Sequence, residues 1–423
     1  MTVNNYKFSI ITPSHSEKNI PFLIELYQSI VKQTYDNWEW ILYLNGEINS
    51  TFIPNDIIDN PKVKIHHYQG DNKNIGFIKN LAFNSGSGDI LVEVDHDDLL
   101  IDCCLEKLNQ AYQNPNFGFV YSDNATYHME NKFQPYGEAW GWTHRLYYFR
   151  GNNLFAMNSF EPSSHSLGYI WYAPDHVRSW RSSVYSKIGG HNKDLSICDD
   201  HELMLRTYLH TEFKRIPEVL YVYRITGNNT WLERNKQIQT TTVKLFNQYA
   251  QQLAERDADK NNLLKVDIGG GINSKPGYLT IDQTGADINC DLNEGIPLPD
   301  NSVGVINASH IIEHLYDKTK TMREIHRVLA HGGWAFIEVP STDGRGAFQD
   351  PTHVSYWNEN SFLYYTNSYL ANFIKNKDIR FQEFRRETWF PNEWLKNMNV
   401  CVTTWWGVAN KPGGKRLPHR LEI

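Results

Sequence analysis

Cysteine is scarce in this chain, and long apolar runs are absent from it. The 423 residues include five cysteines, an odd number without a CxxC pair. The sequence therefore indicates neither a disulfide framework nor a cysteine zinc site, and it favours a reducing compartment. No stretch of about 18 apolar residues occurs, so no membrane span is predicted. The opening residues lack a basic region followed by an apolar one, so we expect no signal peptide and a cytoplasmic location.

An excess of basic residues is also missing. The formal charge is −7 and the isoelectric point is about 6.2, which argues against nucleic acid as a partner. Hydrophobic residues make up 40% of the chain and charged residues 21%, enough for a sizeable core, and the length predicts two or three domains. The 13 tryptophans and 24 tyrosines suit carbohydrate surfaces as well as cores.

Strands and helices alternate over the first 120 residues. This rhythm predicts an α/β fold whose mostly parallel sheet is covered on both faces. The segment IPFLIELYQSIVKQ has helical spacing. Its predicted buried face consists of Phe22, Leu23, Leu26, Ile30 and Val31.

An aromatic-rich segment follows, and we expect residues 130 to 195 to be irregular. Its tryptophans are interpreted either as core or as an acceptor groove; they are Trp140, Trp142, Trp171 and Trp180. A polar helix then leads to a new strand and Gly-rich turn, LLKVDIGGG. We therefore predict two domains, 1–258 and 262–423.

Polar residues stand where several predicted strands end, and ligands of open α/β sheets bind at such ends. Thr12 and Pro13 end the first strand, and Asn45 ends the second. In GDILVEVDHDDLL a buried strand runs into three carboxylates within four positions. Like charges so close are costly unless a cation is present, so Asp95 and Asp97 are predicted to bind Mg²⁺ or Mn²⁺ with a diphosphate.

Two further charged features belong to the same hypothesis. Lys79 lies on the helix just upstream and is expected to reach the same phosphates. Asp199, Asp200 and Glu202 open the helix DDHELMLR. A carboxylate at a helix N-terminus is held ionised by the helix dipole, which suits a general base that takes a proton from a hydroxyl.

Residues 7 to about 230 resemble a family-2 glycosyltransferase of the GT-A fold. The matching pieces occur in family order: SIITPSH, WEWILYLNGE, NIGFIKNLAFNSGSGDILVEVDHDD, IGGHNKDLSICDDHELMLR and VLYVYRITGNNTW. The resemblance implies an inverting sugar transfer from a nucleotide-sugar donor to a glycan hydroxyl, typical of polysaccharide biosynthesis. It assigns nucleotide contacts to Thr12, Pro13 and Asn45, diphosphate contacts to Lys79, metal binding to Asp95 and Asp97, and the catalytic base to Asp200.

This sequence departs from the family pattern at two places. The resemblance favours a UDP-sugar as the donor. The second strand of the family usually ends in two acids before Gly, whereas Leu44 and Asn45 stand here. This departure makes uridine less strongly indicated as the base. The acidic pair is Asp199-Asp200 instead of Glu-Asp. Each site residue also has a structural alternative: a strand end for Thr12, a helix cap for Asp95, Asp97 or Asp200, and a solvated lysine for Lys79.

The second half has the pattern of a nucleoside site. A strand leads to a Gly-rich turn, and a second strand ends in Asp282, where an acid can bind ribose hydroxyls. The segment resembles a class I methyltransferase with a Rossmann-like fold that uses S-adenosylmethionine. The matching pieces are DIGGG, TIDQ, DINCDL, LPDNSVGVINASHIIEHL and REIHRVLAHGG. The resemblance implies Gly269 and Gly271 at the cofactor loop, Asp282 at the ribose and Asp291 near the adenine.

The departures are larger here. Six residues separate Gly271 from Tyr278, too few for a full crossover helix, and Gly304 replaces a usual acid. HIIEH is not the HExxH of zinc proteases, so no metal is predicted at His310 and His314.

The segment DPTHVSYW follows this core. It is expected to bring His353 and Trp357 over a pocket.

The combined hypothesis is a two-domain transferase that adds a sugar and methylates a sugar. Two alternatives stay open. In the first, the chain is a glycosyltransferase whose second domain only docks a partner or acceptor. In the second, the whole chain is a non-catalytic glycan-binding protein.

Overall fold

The structure is a computed structural model that describes residues 4–46, 48, 50–72, 74–128, 142–169, 174–227, 229–271, 275–374, 377–414 and 417. The chain divides into two compact units, residues 1–250 and 251–417. The predicted domain limits, 1–258 and 262–423, stay a prediction. Each unit is described by itself.

The N-terminal unit is built on one mixed sheet. Its strands are β1 (Phe8–Ser14), β2 (Trp38–Leu44), β3 (Val63–His67), β4 (Ile90–Glu93), β5 (Leu99–Leu100), β6 (Phe117–His128), β7 (Thr143–Phe149), β8 (Asn152–Asn158), β9 (Arg178–Arg181) and β10 (Glu212–Ile225). Its helices are α1 (Ile20–Val31), α2 (Asn55–Ile58), α3 (Ile75–Asn84), α4 (Cys104–Ala111), α5 (Ser166–Tyr169), α6 (Ser182–Lys187), α7 (Asp199–His210), α8 (Thr230–Glu233) and α9 (Asn235–Lys260), the last of which continues past residue 250.

The strand order is β3-β2-β1-β4-β9-β6-β10-β5, with the β7–β8 hairpin attached to β6. Strands β1, β2, β3 and β4 run parallel, as predicted, whereas β9 is antiparallel to both of its neighbours. Strands β1, β2 and β4 are buried along their whole length, because helices cover both faces. Their ends consequently form one edge where polar side chains meet.

Helix α1 confirms the predicted helix but buries a narrower face. Leu23, Leu26 and Ile30 lie in the core. Val31 is 45% exposed, because the helix ends there. Phe22 lies beneath the guanidinium group of Arg224, 5.0 Å from the ring centre.

The aromatic segment is more regular than expected. It contains β7, β8, β9, α5 and α6. Strand β7 pairs with β8, and β8 pairs with β6. Trp142 and Trp180 are buried against phenylalanine rings, so both belong to the core and not to an acceptor groove. Trp140 and Trp171 lie outside the described residues.

The C-terminal unit has a second sheet of order β13-β12-β11-β14-β15-β17-β16. Its strands are β11 (Leu264–Ile268), β12 (Leu279–Asp282), β13 (Ile288–Asn289), β14 (Val303–Ser309), β15 (Leu329–Pro340), β16 (Phe381–Trp389) and β17 (Val402–Ala409). Its helices are α10 (Lys318–Val328), α11 (Gly346–Gln349), α12 (Glu359–Thr366) and α13 (Glu393–Asn397). Strands β11 to β15 pair in parallel, and β16 and β17 form an antiparallel edge.

Three local features of this unit concern the end of a helix, a short connection and a glycine. Helix α10 ends at Val328, because Leu329 is extended (φ −63°, ψ 135°) and begins β15. The described part of the β11–β12 connection, 269–271 and 275–278, contains no α-helix. A Cβ at Gly304 would lie 2.6 Å from Ala258 Cβ, so the usual acid has no room at this position.

No helix among the described residues has the length and apolar character that a bilayer crossing requires.

Candidate functional site

The ends of β1, β2 and β4 bring five predicted residues to one edge of the N-terminal sheet. The Asn45 amide donates to the Ser14 carbonyl at 2.9 Å, which fixes the end of β2 beside that of β1. The His15 and His96 rings meet edge to face with centres 5.8 Å apart, so the loop after β4 lies against the end of β1. Thr12, Pro13, Asn45, Asp95 and Asp97 therefore share this edge.

The acidic loop after β4 divides its carboxylates between two tasks. Asp98 is fully buried, accepts hydrogen bonds from the Tyr221 hydroxyl (2.7 Å) and the Arg224 amide (2.7 Å), and caps the loop. Burial, with Asp97 and Asp95 nearby, raises the pKa of Asp98 well above its usual value. Asp95 and Asp97 are half-buried, so their oxygens remain available to a ligand.

Two residues at this edge have different surroundings from those implied by the resemblance. Thr12 is fully buried, and its hydroxyl accepts a hydrogen bond from Trp40 Nε1 at 3.0 Å. This placement argues against a base contact by the Thr12 side chain. Pro13 is buried as well, while Asn45 is half-buried and open to a ligand.

Lys79 also lies differently from the expectation. It is neither solvated nor free for a phosphate, because its ammonium group is buried and donates to Glu93 Oε1 at 2.6 Å. Asp199 Oδ2 is 3.8 Å away from the same nitrogen. Burial alone would lower the pKa of Lys79, but Glu93, Asp199, Asp95 and Asp200 together raise it well above its usual value. Lys79 is thus a buried cation in contact with the carboxylates of Glu93 and Asp199.

A second buried cation, Arg178 of β9, positions the predicted base. Its Nη1 donates to Asp200 Oδ2 at 2.9 Å and lies 3.7 Å from Glu93 Oε2. Against the effect of burial, Arg178 and Lys79 hold the pKa of Asp200 below its usual value. Its side chain remains 24% exposed, so Asp200 is an ionised carboxylate that a ligand can reach.

The neighbouring Asp199 differs in both respects. Its side chain is only 5% exposed and faces Lys79 and His191. Burial raises the pKa of Asp199 to about 7, in opposition to Lys79. The two adjacent acids therefore have distinct chemistry: Asp200 is accessible and ionised, whereas Asp199 is buried and its raised pKa lets it take up a proton near neutral pH.

Two buried histidines complete this cluster without adding charge. Burial, with help from Arg178, lowers the pKa of His176 to about 4, and burial lowers that of His191 to about 3. His176 stacks on Tyr221 with ring centres 4.7 Å apart, and its Nε2 lies 3.9 Å from Asp95 Oδ2. The two imidazoles are therefore neutral near pH 7 and lie beside carboxylates, His176 beside Asp95 and His191 beside Glu93 and Asp199, without adding charge.

The sequence analysis missed Glu93, Arg178 and His191. One signal was present: Glu93 interrupts the apolar run ILVEV at a position that a doubly covered strand buries. A buried acid requires a cation, and Lys79 stands on the preceding helix. Arg178 and His191 carry no comparable signal, because only the folded sheet brings them close.

In the C-terminal unit the glycine loop and the predicted ribose acid come together. Gly269 and Gly271 adopt φ +78° and +47°, which favour glycine. A Cβ built on Gly271 would lie 3.4 Å from Asp282 Oδ2. Asp291 lies farther along the same edge and caps an exposed turn by accepting from the Asn293 amide at 2.9 Å. Its adenine contact stays a prediction.

Asp267, at the end of β11, was not singled out from the sequence. Its Oδ1 accepts from Asn307 Nδ2 at 2.8 Å, and its Oδ2 faces Gly270. The side chain is buried and so ties the glycine loop to β14. Trp357, expected over a pocket, is instead buried in the core against Phe362.

Two family models match parts of the chain. The model of Glycosyl transferase family 2 matches residues 9–170, and that of a Methyltransferase domain matches residues 231–337. The chain carries a family-2 glycosyltransferase domain and a methyltransferase domain. This confirms both resemblances, the transferase class and the α/β fold class predicted from the sequence. No curated protein matches the chain at a significant level.

Solved glycosyltransferase structures show limited similarity to the chain. S. aureus TarS 1-349 in complex with UDP has 14% identity and a TM-score of 0.42, and the match covers 57% of this chain and 64% of TarS 1-349. The mannosyltransferase PcManGT from Pyrobaculum calidifontis, in complex with GDP-Man and Mn²⁺, has 14% identity and a TM-score of 0.39, with 56% and 63% covered. The chain thus spans less than two thirds of either structure.

The Glu93 cluster makes a stability prediction. Glu93→Gln leaves Lys79 and Arg178 buried without their shared carboxylate, so we expect it to reduce the free energy of unfolding by about 3–5 kcal/mol. Urea unfolding of the full chain, followed by tryptophan fluorescence, measures this loss.

The matched control is Glu39→Gln. Glu39 is equally buried, but its partners Lys7 and Lys64 are 36% and 45% exposed, so water can solvate them and the loss should be smaller. An equal loss in both variants would contradict the assignment of Glu93 as the centre of a buried charge cluster.

Proposed function

We propose that the N-terminal unit transfers a sugar from a nucleotide-sugar donor to a glycan hydroxyl with inversion of configuration. One observation carries the proposal: Arg178 donates to Asp200, the predicted base, at 2.9 Å and lies 3.7 Å from Glu93, which stands two residues before the predicted metal ligand Asp95. The acidic loop and the base are therefore parts of one site. Such a site provides the two features that the reaction needs: a binding place for the diphosphate and an ionised base.

Asp95 and Asp97 fit a divalent metal ion. Both are half-buried oxygen donors at a strand end, next to a buried and hydrogen-bonded third carboxylate. Mg²⁺ and Mn²⁺ accept one or two carboxylates and take their remaining ligands from substrate phosphates and water. A bound ion would neutralise the charge that develops on the leaving diphosphate.

The chain's own residues account for the remaining chemistry. Asp200 accepts the proton of the acceptor hydroxyl, whose oxygen bonds to the anomeric carbon while the bond from that carbon to the diphosphate oxygen breaks. Arg178 holds the carboxylate in position through its 2.9 Å hydrogen bond. Attack from the face opposite the leaving group inverts the anomeric carbon. Asn45, which is half-buried at the end of β2, would hydrogen-bond the donor base, for which uridine is the favoured candidate.

The base assignment predicts different effects for the two adjacent acids. Asp200→Asn removes the proton acceptor with little change in shape, so kcat should fall by about 10²–10⁴-fold while donor binding persists. Asp199→Asn is the matched control, and it should lower kcat by much less because its carboxyl is buried. Sugar transfer to a glycan acceptor, measured with UDP-sugars and GDP-sugars and Mn²⁺, tests this. A larger loss in Asp199→Asn would contradict the assignment.

We further propose that the C-terminal unit binds S-adenosylmethionine and methylates a sugar hydroxyl, with the sugar that the first unit adds as the favoured substrate. The supporting observation is that a Cβ built on Gly271 would lie only 3.4 Å from Asp282 Oδ2. A left-handed glycine loop beside an acid at the end of the next strand suits an adenosine ribose. The rival function is a docking unit that binds no cofactor.

Binding of S-adenosylhomocysteine tests this second proposal. At about 100 times its Kd the ligand should stabilise the C-terminal unit by about 2.7 kcal/mol, seen as a rise in its unfolding temperature. Asp282→Asn should weaken binding, whereas Asp300→Asn, an exposed partner of Arg327, should not.

The same unfolding assay separates the alternatives. A shift with UDP and Mn²⁺ but none with S-adenosylhomocysteine would leave a glycosyltransferase with a docking unit. No shift with any of these ligands would favour a non-catalytic glycan-binding protein.

A further inference from the structure

Three potential metal ligands converge in the C-terminal unit, and none of them is among the residues assigned above to the cofactor. Glu313 and His314 lie in the turn that follows β14, and His353 lies in the loop that follows α11. One carboxylate oxygen and one nitrogen from each imidazole lie within 4.8 Å of one another. Among the described residues, these form the one group of three such side chains.

Backbone hydrogen bonds explain how residues so distant in sequence meet. The amides of Val354 and Ser355 both donate to the Glu313 carbonyl, at 3.0 and 2.9 Å. The Ser355 hydroxyl donates to the Ile312 carbonyl at 3.0 Å. The loop that carries His353 is therefore fixed to the turn that carries the other two side chains, and the cluster is built by the fold.

Both histidines are held in the form that a metal ion requires. His314 Nδ1 lies 3.1 Å from the Thr352 carbonyl, and His353 Nδ1 lies 3.0 Å from the Ala347 carbonyl. A carbonyl oxygen only accepts, so each Nδ1 carries the proton and each Nε2 keeps its lone pair. Backbone carbonyls orient metal-bound imidazoles in this way.

Glu313 is a buried carboxylate that receives little stabilisation from hydrogen-bond donors or cations of the surrounding protein. Its side chain is 3% exposed, and within the described structure neither carboxylate oxygen has a hydrogen-bond partner. The nearest cationic group is His310 Nδ1 at 3.6 Å, and His310 also pairs with Glu338 at 3.5 Å. His353 Nε2 is 4.0 Å away. A buried carboxylate without close donors is costly, and a cation between it and the two imidazoles removes that cost.

We propose that Glu313, His314 and His353 bind a divalent first-row transition-metal ion. Two imidazoles and one carboxylate favour Zn²⁺, Mn²⁺ or Fe²⁺ over Mg²⁺ or Ca²⁺, which take oxygen ligands. Asp350 Oδ2, 3.8 Å from His353 Nε2, offers a fourth ligand. Ligand atoms with bonds of about 2.1 Å to one ion lie about 3.3 Å apart, so binding draws the side chains together.

The proposed metal site lies beside the glycine loop of the C-terminal unit. The turn follows the carboxyl end of β14, and Ile311 packs against Gly269, where a Cβ would meet it at 2.5 Å. The metal site therefore adjoins the glycine loop. Three protein ligands leave coordination positions for water or a hydroxyl oxygen. Metal binding itself does not rest on the methyl transfer proposed above.

Metal binding by the full chain tests the proposal. The Asp95→Asn/Asp97→Asn double variant serves as background, because it removes the other predicted metal site. After chelation, calorimetric titration with Zn²⁺ and Mn²⁺, together with metal analysis, should find one ion per chain. His314→Ala and His353→Ala should each weaken that binding at least about tenfold. His314 is half-buried, so its variant should fold if that of His353 does not.

Two control variants sharpen the result. His67→Ala removes an exposed imidazole of the N-terminal unit and should leave affinity unchanged. His310→Gln removes the competing partner of Glu313 and should leave affinity equal or higher. Absence of a bound ion in the background variant, or an equal effect of His314→Ala and His67→Ala, would overturn the proposal. Neither result bears on S-adenosylhomocysteine binding, which tests the methyltransferase separately.

Discussion

The buried ion pair between Glu93 and Lys79 is the interaction on which the N-terminal site depends. Strand β4 is covered on both faces, so Glu93 has no access to water. Against the effect of burial, Lys79 and then Arg178 lower the pKa of Glu93 below its usual range. The carboxylate in turn holds both cations beneath the sheet edge. Because an isolated buried charge is costly, each member of the cluster fixes the positions of the others.

This arrangement lets the site hold several acids close together. Asp98 is hydrogen-bonded and buried, burial raises the pKa of Asp199, and Arg178 holds Asp200 ionised. Burial thus gives neighbouring carboxylates different properties: Asp98 anchors a loop, whereas Asp95, Asp97 and Asp200 stay accessible to a ligand. The cluster in the C-terminal unit also contains a buried acid, Glu313. In contrast to Glu93, Glu313 has no close hydrogen-bond donor among the described residues, and the proposed metal ion would take the place of one.

Sequence patterns located the edge of the sheet but not the charges beneath it. The apolar strands and the polar residues that end them predicted where Asn45, Asp95 and Asp97 lie, because the ends of parallel strands must share one edge. The surroundings of Thr12 and Lys79 depend on Trp40 and Glu93, which only the folded sheet brings to them. The hairpin β7–β8 was missed because aromatic residues obscure its alternation.

The metal cluster shows a second limit. HIIEH has the wrong order for a zinc protease motif, and that comparison alone predicts no metal. The third side chain, His353, is brought in by hydrogen bonds from Val354 and Ser355 to the Glu313 carbonyl. No local spacing in the sequence reports such a contact.

The pH dependence of kcat/KM for sugar transfer tests the central claim most directly. A base must be deprotonated, so activity falls as pH decreases through its pKa. With Asp200 as the base, held below the usual aspartate value by Arg178, kcat/KM should show no acidic limb above pH about 4. An acidic limb with an apparent pKa near 7, the value for Asp199, would contradict the account and identify the buried acid as the base.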